Sequence, residues 1–343
     1  MRCRRFAYVW ALVMLLTLSP ANAAAKSGTS WAQAELETVV AAGIMAKAAA
    51  AQPQSPLTRG ELETIVAGLS HTEAAAPASP TAKVTMAALD ARLVAGVGLD
   101  DSARLFTQAA KTAGLKPPSR FGTEAVARLL GLRINHPTAL DALELSPGQP
   151  ANHAEAAYSA ARVLKLSERD TQAVPELAGS FVLPVLTPWQ KKVLTTAVRF
   201  IGYPYVWGGE SEFPESPFGP QVHGGFDCSG FVWRVYKVEQ YSGGGTLPDM
   251  LKGRTTYAMS GEVPATKRIA LANLQPADVL FFGAKGSKSK PAQIDHAGVY
   301  LGNGWFIHSS SYGVAVTTLT GWYAKRFAWG RRPLAEAGLV SPA

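Results

Sequence analysis

The sequence contains little cysteine: only Cys3 and Cys228 in a chain of 343 residues. Cys3 lies in an N-terminal segment that has the composition of a removable signal, so a processed chain would keep Cys228 alone. A single thiol excludes an intrachain disulfide, and with it the class of small folds that depend on disulfides. The remaining thiol therefore has to be explained by packing or by chemistry.

Long apolar runs are also absent. The apolar stretch from Phe6 to Leu18 is shorter than the ~20 residues that a transmembrane helix needs. It follows a cluster of arginines and precedes the small residues 19–23, which is the pattern of a secretory signal peptide. We therefore expect a signal peptide over residues 1–23 and an exported protein, secreted or associated with the cell envelope, without a membrane span after processing.

The chain lacks a strong excess of one charge. The formal net charge is +8, and loss of Arg2, Arg4 and Arg5 with the signal peptide would lower it to +5. No basic patch is interleaved with aromatic residues, which argues against nucleic acid as a partner. The mild basic excess is ordinary for a soluble protein, and it would also suit anionic polymers of the cell envelope.

Aromatic residues are scarce in the first half, which is rich in alanine, whereas Trp, Tyr, Phe and Gly become frequent from Trp189 onward. A chain of this length can form two domains, and the prolines between the two compositions indicate a linker. We expect an α-helical domain over 24–175, a linker over 176–188, a catalytic domain over 189–335 and a tail over 336–343.

The alanine-rich half has apolar residues spaced three and four apart, which predicts amphipathic helices. Thr58 and Glu61 have the spacing of a capping box and predict a helix start between them. Similar starts follow at Thr85 and, more weakly, at Asn152. The pattern indicates a degenerate helical repeat and an all-α domain.

The first of these units, residues 31–62, resembles a surface-layer homology repeat, a family that anchors exported proteins to cell-wall polymers. The later units depart from the pattern, since Met86 and His153 stand where the signature has arginine. The resemblance implies a contact with anionic wall polymers, and Arg59 is the candidate residue for it. A plain helical spacer is an equally weighted alternative.

The histidines of this half show no pattern that would indicate a site. His71, His136 and His153 are scattered along the sequence and lack the spacing of metal ligands. We therefore expect all three on the surface.

Cys228 lies where a Gly/Asp turn gives way to an apolar run of helical spacing, in residues 225–233. This places the sulfur at the start of a helix. Backbone N–H groups and the positive end of the helix dipole favour a thiolate there, and the thiolate is the nucleophilic form. The segment therefore predicts a reactive cysteine.

A β-hairpin is predicted around the Gly/Asn loop 302–304. If all three loop residues form the connection, Leu301 faces Trp305 and Val299 faces Ile307. Apolar side chains then fill one face of the hairpin, which predicts that this face packs on the core.

The other face would carry His296 and His308, together with Tyr300 and Phe306. A two-residue loop would shift the register by one and separate the two histidines. On one face, His296 can serve as the general base for Cys228 while His308 bonds to its second ring nitrogen and fixes its orientation. The alternative is that both are polar residues of a half-exposed strand.

An aromatic loop, residues 202–209, follows a helix that Thr187 caps and Pro188 opens. The loop is either a turn that packs on the sheet or a substrate wall. As a wall it would present Trp207 to the substrate and the Tyr205 hydroxyl to the oxyanion, beside the backbone N–H of the cysteine.

Five motifs in this half occur in the order found in the NlpC-type cell-wall peptidase family, and the chain from about Trp189 to Arg332 resembles that family. The resemblance implies a papain-like α+β fold, in which a helix that bears the cysteine packs on an antiparallel sheet that bears the histidines. It implies hydrolysis of an amide in the peptidoglycan stem peptide, commonly between γ-D-glutamate and the diamino acid, without cofactor or metal. The motifs are residues 204–209, 226–232, 276–282, 295–301 and 306–308.

The same resemblance assigns Cys228 as nucleophile, His296 as base and His308 as orienting residue, with Tyr205 beside the oxyanion. It also implies that the two neighbours of the cysteine bind the L-alanine amine of a free stem-peptide end; these are Asp227 and Ser229. A helix N-cap is an equally weighted and compatible role for the aspartate.

One segment departs from the family pattern. Residues 210–224 form an acidic, proline-rich insertion beside the expected site, which either shapes substrate choice or is a tolerated loop; His223 within it is expected to be a loop residue. The basic loop 285–290 is either a solvated turn or a contact for wall polymer. Two other functions stay open, a binding module without turnover and an amidase or acyltransferase that uses the same Cys and His residues.

Overall fold

The structure, a computed structural model, describes residues 30–136, 144–214 and 224–340. The expected signal peptide, with Cys3, lies outside the described residues, as do His223 with the middle of the acidic insertion and the last three residues of the expected tail. None of the helices in the described part of the chain is long and apolar enough to cross a membrane.

The first half is helical, as the apolar spacing predicts. Its helices are α1 Gln33–Ala41, α2 Lys47–Ala50, α3 Arg59–Ser70, α4 Met86–Gly96, α5 Asp100–Thr112, α6 Phe121–Leu129, α7 His153–Leu164 and α8 Glu168–Ser180.

The three predicted helix starts are confirmed. Thr58 caps α3 in a full capping box, and Thr85 and Asn152 each cap their helix by accepting a bond from the backbone N–H three residues on. These starts also meet in space, because the residue before each cap donates a backbone hydrogen bond to the next in a closed ring. The ring runs from Leu57 to Ala151 (2.8 Å), from Ala151 to Val84 (2.8 Å) and from Val84 to Leu57 (3.0 Å).

The prediction that the histidines of this half lie on the surface is wrong for two of them. His136 and His153 are only 3% and 5% exposed. His136 Nε2 lies 3.3 Å from a Glu155 carboxylate oxygen, and His153 Nε2 lies 3.2 Å from Glu61 Oε1. Both carboxylates come from elsewhere in the fold, so sequence spacing could not reveal the pairing. His71 is exposed, as expected.

The segment 176–188, for which the sequence predicts a linker, is largely exposed but is anchored by a few buried side chains. It contains the last turn of α8 and the fully buried Phe181, whose ring centroid lies 5.0 Å from Phe106 and 5.1 Å from Trp305. Phe106 belongs to the helical half and Trp305 to the second half, so the two halves share one apolar core. Their division into separate domains stays a prediction.

The second half has an α+β arrangement. Its elements are α9 Pro188–Arg199, β1 Glu210–Ser211, β2 Gly225–Phe226, α10 Cys228–Trp233, α11 Leu247–Met250, α12 Thr256–Gly261, β3 Val279–Gly283, β4 Ile294–Gly302, β5 Trp305–Ser310, β6 Gly313–Thr318, α13 Gly321–Arg326, β7 Phe327–Arg331 and α14 Pro333–Glu336. The strands form an antiparallel sheet in the order β6, β5, β4, β3, β7, apart from the short pair β1 and β2. Helix α10 packs on β4 and β5, the strands that carry the histidines, so the predicted fold class is confirmed.

Candidate active site

The hairpin that carries the histidines closes differently from the prediction. The turn consists of Asn303 and Gly304, which have φ values of 48° and 80° as in a type I′ turn. Gly302 pairs with Trp305, so the predicted pairing of Leu301 with Trp305 is wrong. A bulge at Leu301 takes up the extra residue. The turn is one residue shorter than predicted and the bulge adds one residue to β4, so the pairing of the strands beyond the bulge is the same as predicted.

Beyond the bulge the register is the predicted one, because Val299 faces Ile307. The two histidines therefore share a face, and His296 Nε2 lies 2.7 Å from His308 Nδ1. This bond fixes the orientation of the His296 ring. Since Nε2 is occupied, His296 can accept a proton from a nucleophile at Nδ1.

An aromatic cover over the histidine pair was not evident from the sequence. The Tyr323 ring, from α13, lies 6.2 Å from the His296 ring and 5.2 Å from the His308 ring, and Phe306 lies 4.8 Å from His308 (centroid distances). A second apolar cluster thus covers this face of the sheet. Its buried members are Leu280, Phe282, Phe306, Leu319 and Phe327.

This environment keeps both imidazoles neutral. Desolvation lowers the pKa of His296 to about 4, against an opposing contribution from Asp295 and with a further lowering by Arg326. Burial and the neighbouring His296 hold the pKa of His308 well below its ordinary value. At neutral pH the pair is therefore in the form that can accept a proton.

Cys228 begins α10 and lies against the strand that carries His296. Its Sγ is 3.9 Å from the carbonyl oxygen of Asp295 and also receives a backbone hydrogen bond from Ala297. These two residues flank His296 in β4. The structure thus brings together the three residues that the sequence proposes as a catalytic set.

The ionisation of the thiol is opposite to the expected direction. Burial raises the pKa of Cys228 to about 12; the carboxylate of Asp227 raises it further, and backbone N–H groups oppose the rise only in part. The side chain is 8% exposed, so the desolvation of a thiolate outweighs the field of a short helix. The resting pair is therefore a thiol beside a neutral imidazole.

The predicted N-cap role of Asp227 is confirmed. Its Oδ1 accepts a bond from the N–H of Gly230 (2.5 Å), and its Oδ2 accepts one from the N–H of Gly208 (2.9 Å). The carboxylate therefore joins the start of the cysteine helix to the aromatic loop. Ser229 also bonds to it, through Oγ at 3.0 Å.

Arg254 is a site residue that the sequence analysis missed. Its Nη1 donates to Ser229 Oγ (2.9 Å) and lies 3.2 Å from Asp227 Oδ1, while Nε donates to Glu210 Oε2 (2.7 Å). The guanidinium joins β1 to the residues on both sides of the nucleophile. No local motif marks this arginine, and only its partners from other segments reveal it.

Tyr205 and Trp207 occupy different environments in the aromatic loop. Tyr205 forms a parallel bridge with Phe226, and burial raises the pKa of its phenol, with further contributions from the nearby Cys228 and Asp227. The hydroxyl therefore stays protonated and can donate a hydrogen bond. Trp207 is 84% exposed, and its place in a substrate wall stays a prediction.

Comparison with known proteins identifies relatives of the second half. The model of the NlpC/P60 family matches residues 202–332. A γ-D-glutamyl-L-lysine dipeptidyl-peptidase of Bacillus subtilis is 32% identical over 128 residues, which are 37% of this chain and 34% of that protein. A probable peptidoglycan endopeptidase of the same organism is 34% identical over 134 residues, 39% of this chain and 31% of that protein.

A murein DD-endopeptidase of Escherichia coli is 32% identical over 150 residues, covering 41% of this chain and 45% of that protein. Among solved structures, an NlpC/P60 family protein from Bacillus cereus is 27% identical, with a TM-score of 0.32, over 44% of this chain and 42% of that one. The chain thus spans about a third of the length of the first of these relatives.

Proposed function

Residues 202–332 form an NlpC/P60 family domain, and from this premise we propose that the protein is a cysteine peptidase that hydrolyses an amide of peptidoglycan stem peptides. The observation that carries the proposal is the bond of 2.7 Å between His296 and His308, on the strand segment against which Cys228 lies. A protein that only binds peptide would not need a thiol beside the strand segment of one histidine and a second histidine bonded to the first.

The proposed reaction begins with proton transfer, because the resting thiol and imidazole are neutral. Cys228 gives its proton to His296 as the sulfur attacks the amide carbonyl. The carbonyl oxygen becomes an oxyanion that accepts bonds from the Cys228 N–H and the Tyr205 hydroxyl. His296 then protonates the leaving amine, and water that it activates hydrolyses the thioester.

The bond between γ-D-glutamate and the diamino acid is the proposed target. The name of the γ-D-glutamyl-L-lysine dipeptidyl-peptidase relative refers to a bond of this kind. Trp207 would form a wall of the substrate cleft. Asp227 and Ser229 stay candidate contacts for an L-alanine amine, but both also bond to Arg254, whose positive charge opposes an ammonium at that place.

Export through residues 1–23 and attachment through the helical half are part of the proposal. Arg59 is exposed at the start of α3, where it could contact an anionic wall polymer. Binding of the purified protein to isolated cell walls, compared with its Arg59→Ala variant, tests this contact. Equal binding by both proteins would contradict it.

The test of the activity uses defined stem peptides that still carry their sugar, and mass spectrometry of the products. The wild type should release a fragment that begins with the diamino acid, while Cys228→Ala should release none and keep its circular dichroism spectrum and melting temperature. Cleavage by Cys228→Ala would refute the assignment. Products joined to a second amine, or cleavage at the sugar-proximal amide, would favour the acyltransferase or the amidase.

A further inference from the structure

Arg128 extends from helix α6 of the helical half into the catalytic half. Its Nη2 donates to the carbonyl oxygen of Gly202 (2.7 Å), and its Nη1 donates to that of Tyr312 (2.5 Å). The side chain is almost fully buried. One guanidinium thus joins two backbone segments that are distant in the sequence.

Both segments belong to the surroundings of the candidate active site. Gly202 opens the loop that leads to Tyr205, and Tyr312 lies in the turn that follows the strand of His308. The two segments also bond to each other, since the Gly202 N–H donates to Val314 (2.9 Å) and the Val314 N–H donates to the Tyr203 carbonyl (2.8 Å). We call these two bonded segments, residues 202–203 and 312–314, the joint. Arg128, which belongs to the helical half, bonds to both of them.

Two glycines let the halves approach closely at the joint. Gly202 has a φ of +85°, and a Cβ there would lie 2.5 Å from the Glu124 carboxylate. Gly313 has a φ of +69°, and a Cβ there would lie 2.5 Å from the Tyr203 carbonyl oxygen and 2.8 Å from Arg128 Nη1. No side chain fits at either position without displacing the arginine cluster or the loop.

Two buried glutamates, Glu124 and Glu144, also lie close to the guanidinium. Glu144 Oε1 lies 2.7 Å from Arg128 Nη1, and Glu124 Oε2 lies 3.5 Å from its Nε. Both glutamates are almost completely buried. Because a buried guanidinium needs partners, the arginine is confined between these two carboxyl groups and the two carbonyls of the catalytic half.

We propose that Arg128 is a positioning residue of the active site, which fixes the loop of Tyr205 relative to the strand of His308 and so sets the Tyr205 hydroxyl at the oxyanion. In this way the helical half contributes to catalysis, through the position of Tyr205. This inference rests on the proposed function for its kinetic consequence.

The test compares Arg128→Met with Arg133→Met. Arg133 is a fully buried guanidinium of the same ionic cluster, but it bonds to Asp90 and Ser159 within the helical half. Arg128→Met should lower kcat on stem peptides by about 10- to 100-fold with KM little changed, because small displacements of an oxyanion donor are costly. Arg133→Met should keep kcat within about threefold. Arg128→Lys should restore kcat in part, since one ammonium cannot reproduce the fork of two bonds.

A double variant shows whether the arginine acts through the tyrosine. In a Tyr205→Phe background, Arg128→Met should lower kcat by less than about threefold, because the donor it positions is already gone. Full additivity of the two losses would overturn the proposal. An equal loss of kcat in Arg128→Met and Arg133→Met would also overturn it, as a general effect of destabilisation.

Hydrogen exchange gives a readout that does not depend on activity. Exchange of the Gly202 and Val314 amides should accelerate in Arg128→Met and stay as in the wild type in Arg133→Met; unchanged exchange in both would overturn the proposal. If the wild type were inactive on stem peptides but Arg128→Met still showed this acceleration, the proposed function alone would be refuted.

If Arg128→Met does not fold, Gly202→Ala disturbs the same joint from the catalytic side. Its control is Gly98→Ala, which has a similar φ of +75° but open space around the added methyl. Gly202→Ala should lower kcat more than Gly98→Ala does; equal kcat in the two variants would overturn the proposal.

Discussion

At the scale of single residues, the ionisation of the thiol and the imidazole follows from burial. His296 lies on the sheet face that the second apolar cluster and Tyr323 cover, and Cys228 is buried at the start of its helix, so a charge on either group is poorly solvated. The pKa of Cys228 is therefore raised to about 12 and that of His296 lowered to about 4. In the proposed reaction, such a neutral pair would form the thiolate only as the substrate is attacked.

The pH dependence of kcat/KM tests this state. His296 accepts a proton only when it is neutral, so activity should fall below about pH 4, as the imidazole becomes protonated, and stay level from about pH 5 to 7. Alkylation of Cys228 by iodoacetamide in the free enzyme should stay slow over the same range. An acid limb near pH 6.5 would instead indicate an imidazole of ordinary pKa, and fast alkylation at neutral pH would indicate a preformed thiolate.

At the scale of elements, the hairpin of β4 and β5 shows how a turn and a bulge together set the placement of side chains. The sequence predicts the correct face for His296 and His308 from apolar alternation, although the loop that it assumes is one residue too long. The bulge at Leu301 takes up the residue by which the observed turn is shorter. A two-residue turn with a bulge gives the same pairing beyond residue 300 as a three-residue loop would, so apolar alternation alone does not separate the two arrangements.

The turn can be tested by substitution of its second residue. Gly304→Ala should lower the free energy of unfolding by about 1–2 kcal/mol, because an L-residue is strained at the φ of +80° although nothing lies within 4 Å of the added methyl. Gly148→Ala is the control, since its surroundings are equally open and its φ is not in the left-handed region. Urea denaturation measures both, and equal effects would show that the turn carries no such strain.

At the scale of the whole molecule, a buried ionic cluster lies where the two halves meet. Burial, together with Asp90, raises the pKa of Glu124 to about 7, while Arg128, Arg133 and Arg120 oppose the rise. Burial also raises the pKa of Glu144 to about 8, with Glu155 adding to the rise and the same two buried arginines opposing it. Both carboxyls therefore bind protons more tightly in the folded chain than in the unfolded one.

Stability should consequently fall as the pH rises. Because the folded pKa values of Glu124 and Glu144 lie above the unfolded value of about 4.3, their stabilising contribution is complete below that pH and is lost as the pH passes through 7 to 8. The melting temperature should drop between pH 6 and pH 9, and Glu124→Gln should reduce the drop. A melting temperature that rises over this interval would contradict the assignment.

The sequence by itself determined the features that depend on near neighbours. The caps at Thr58, Thr85, Asn152 and Asp227 were predictable because each bond spans three residues. The α+β character and the shared face of the histidines followed from alternation and motif order, which are also local properties.

Only the tertiary structure decided the charge states and the union of the two halves. The rise in the pKa of Cys228, the burial of His136 and His153, and the contacts of Arg254 and Arg128 all depend on groups that come from distant segments. Phe181 likewise became core because both halves cover it. Desolvation and charge pairing are set by what surrounds a group in space, and a sequence records only its neighbours along the chain.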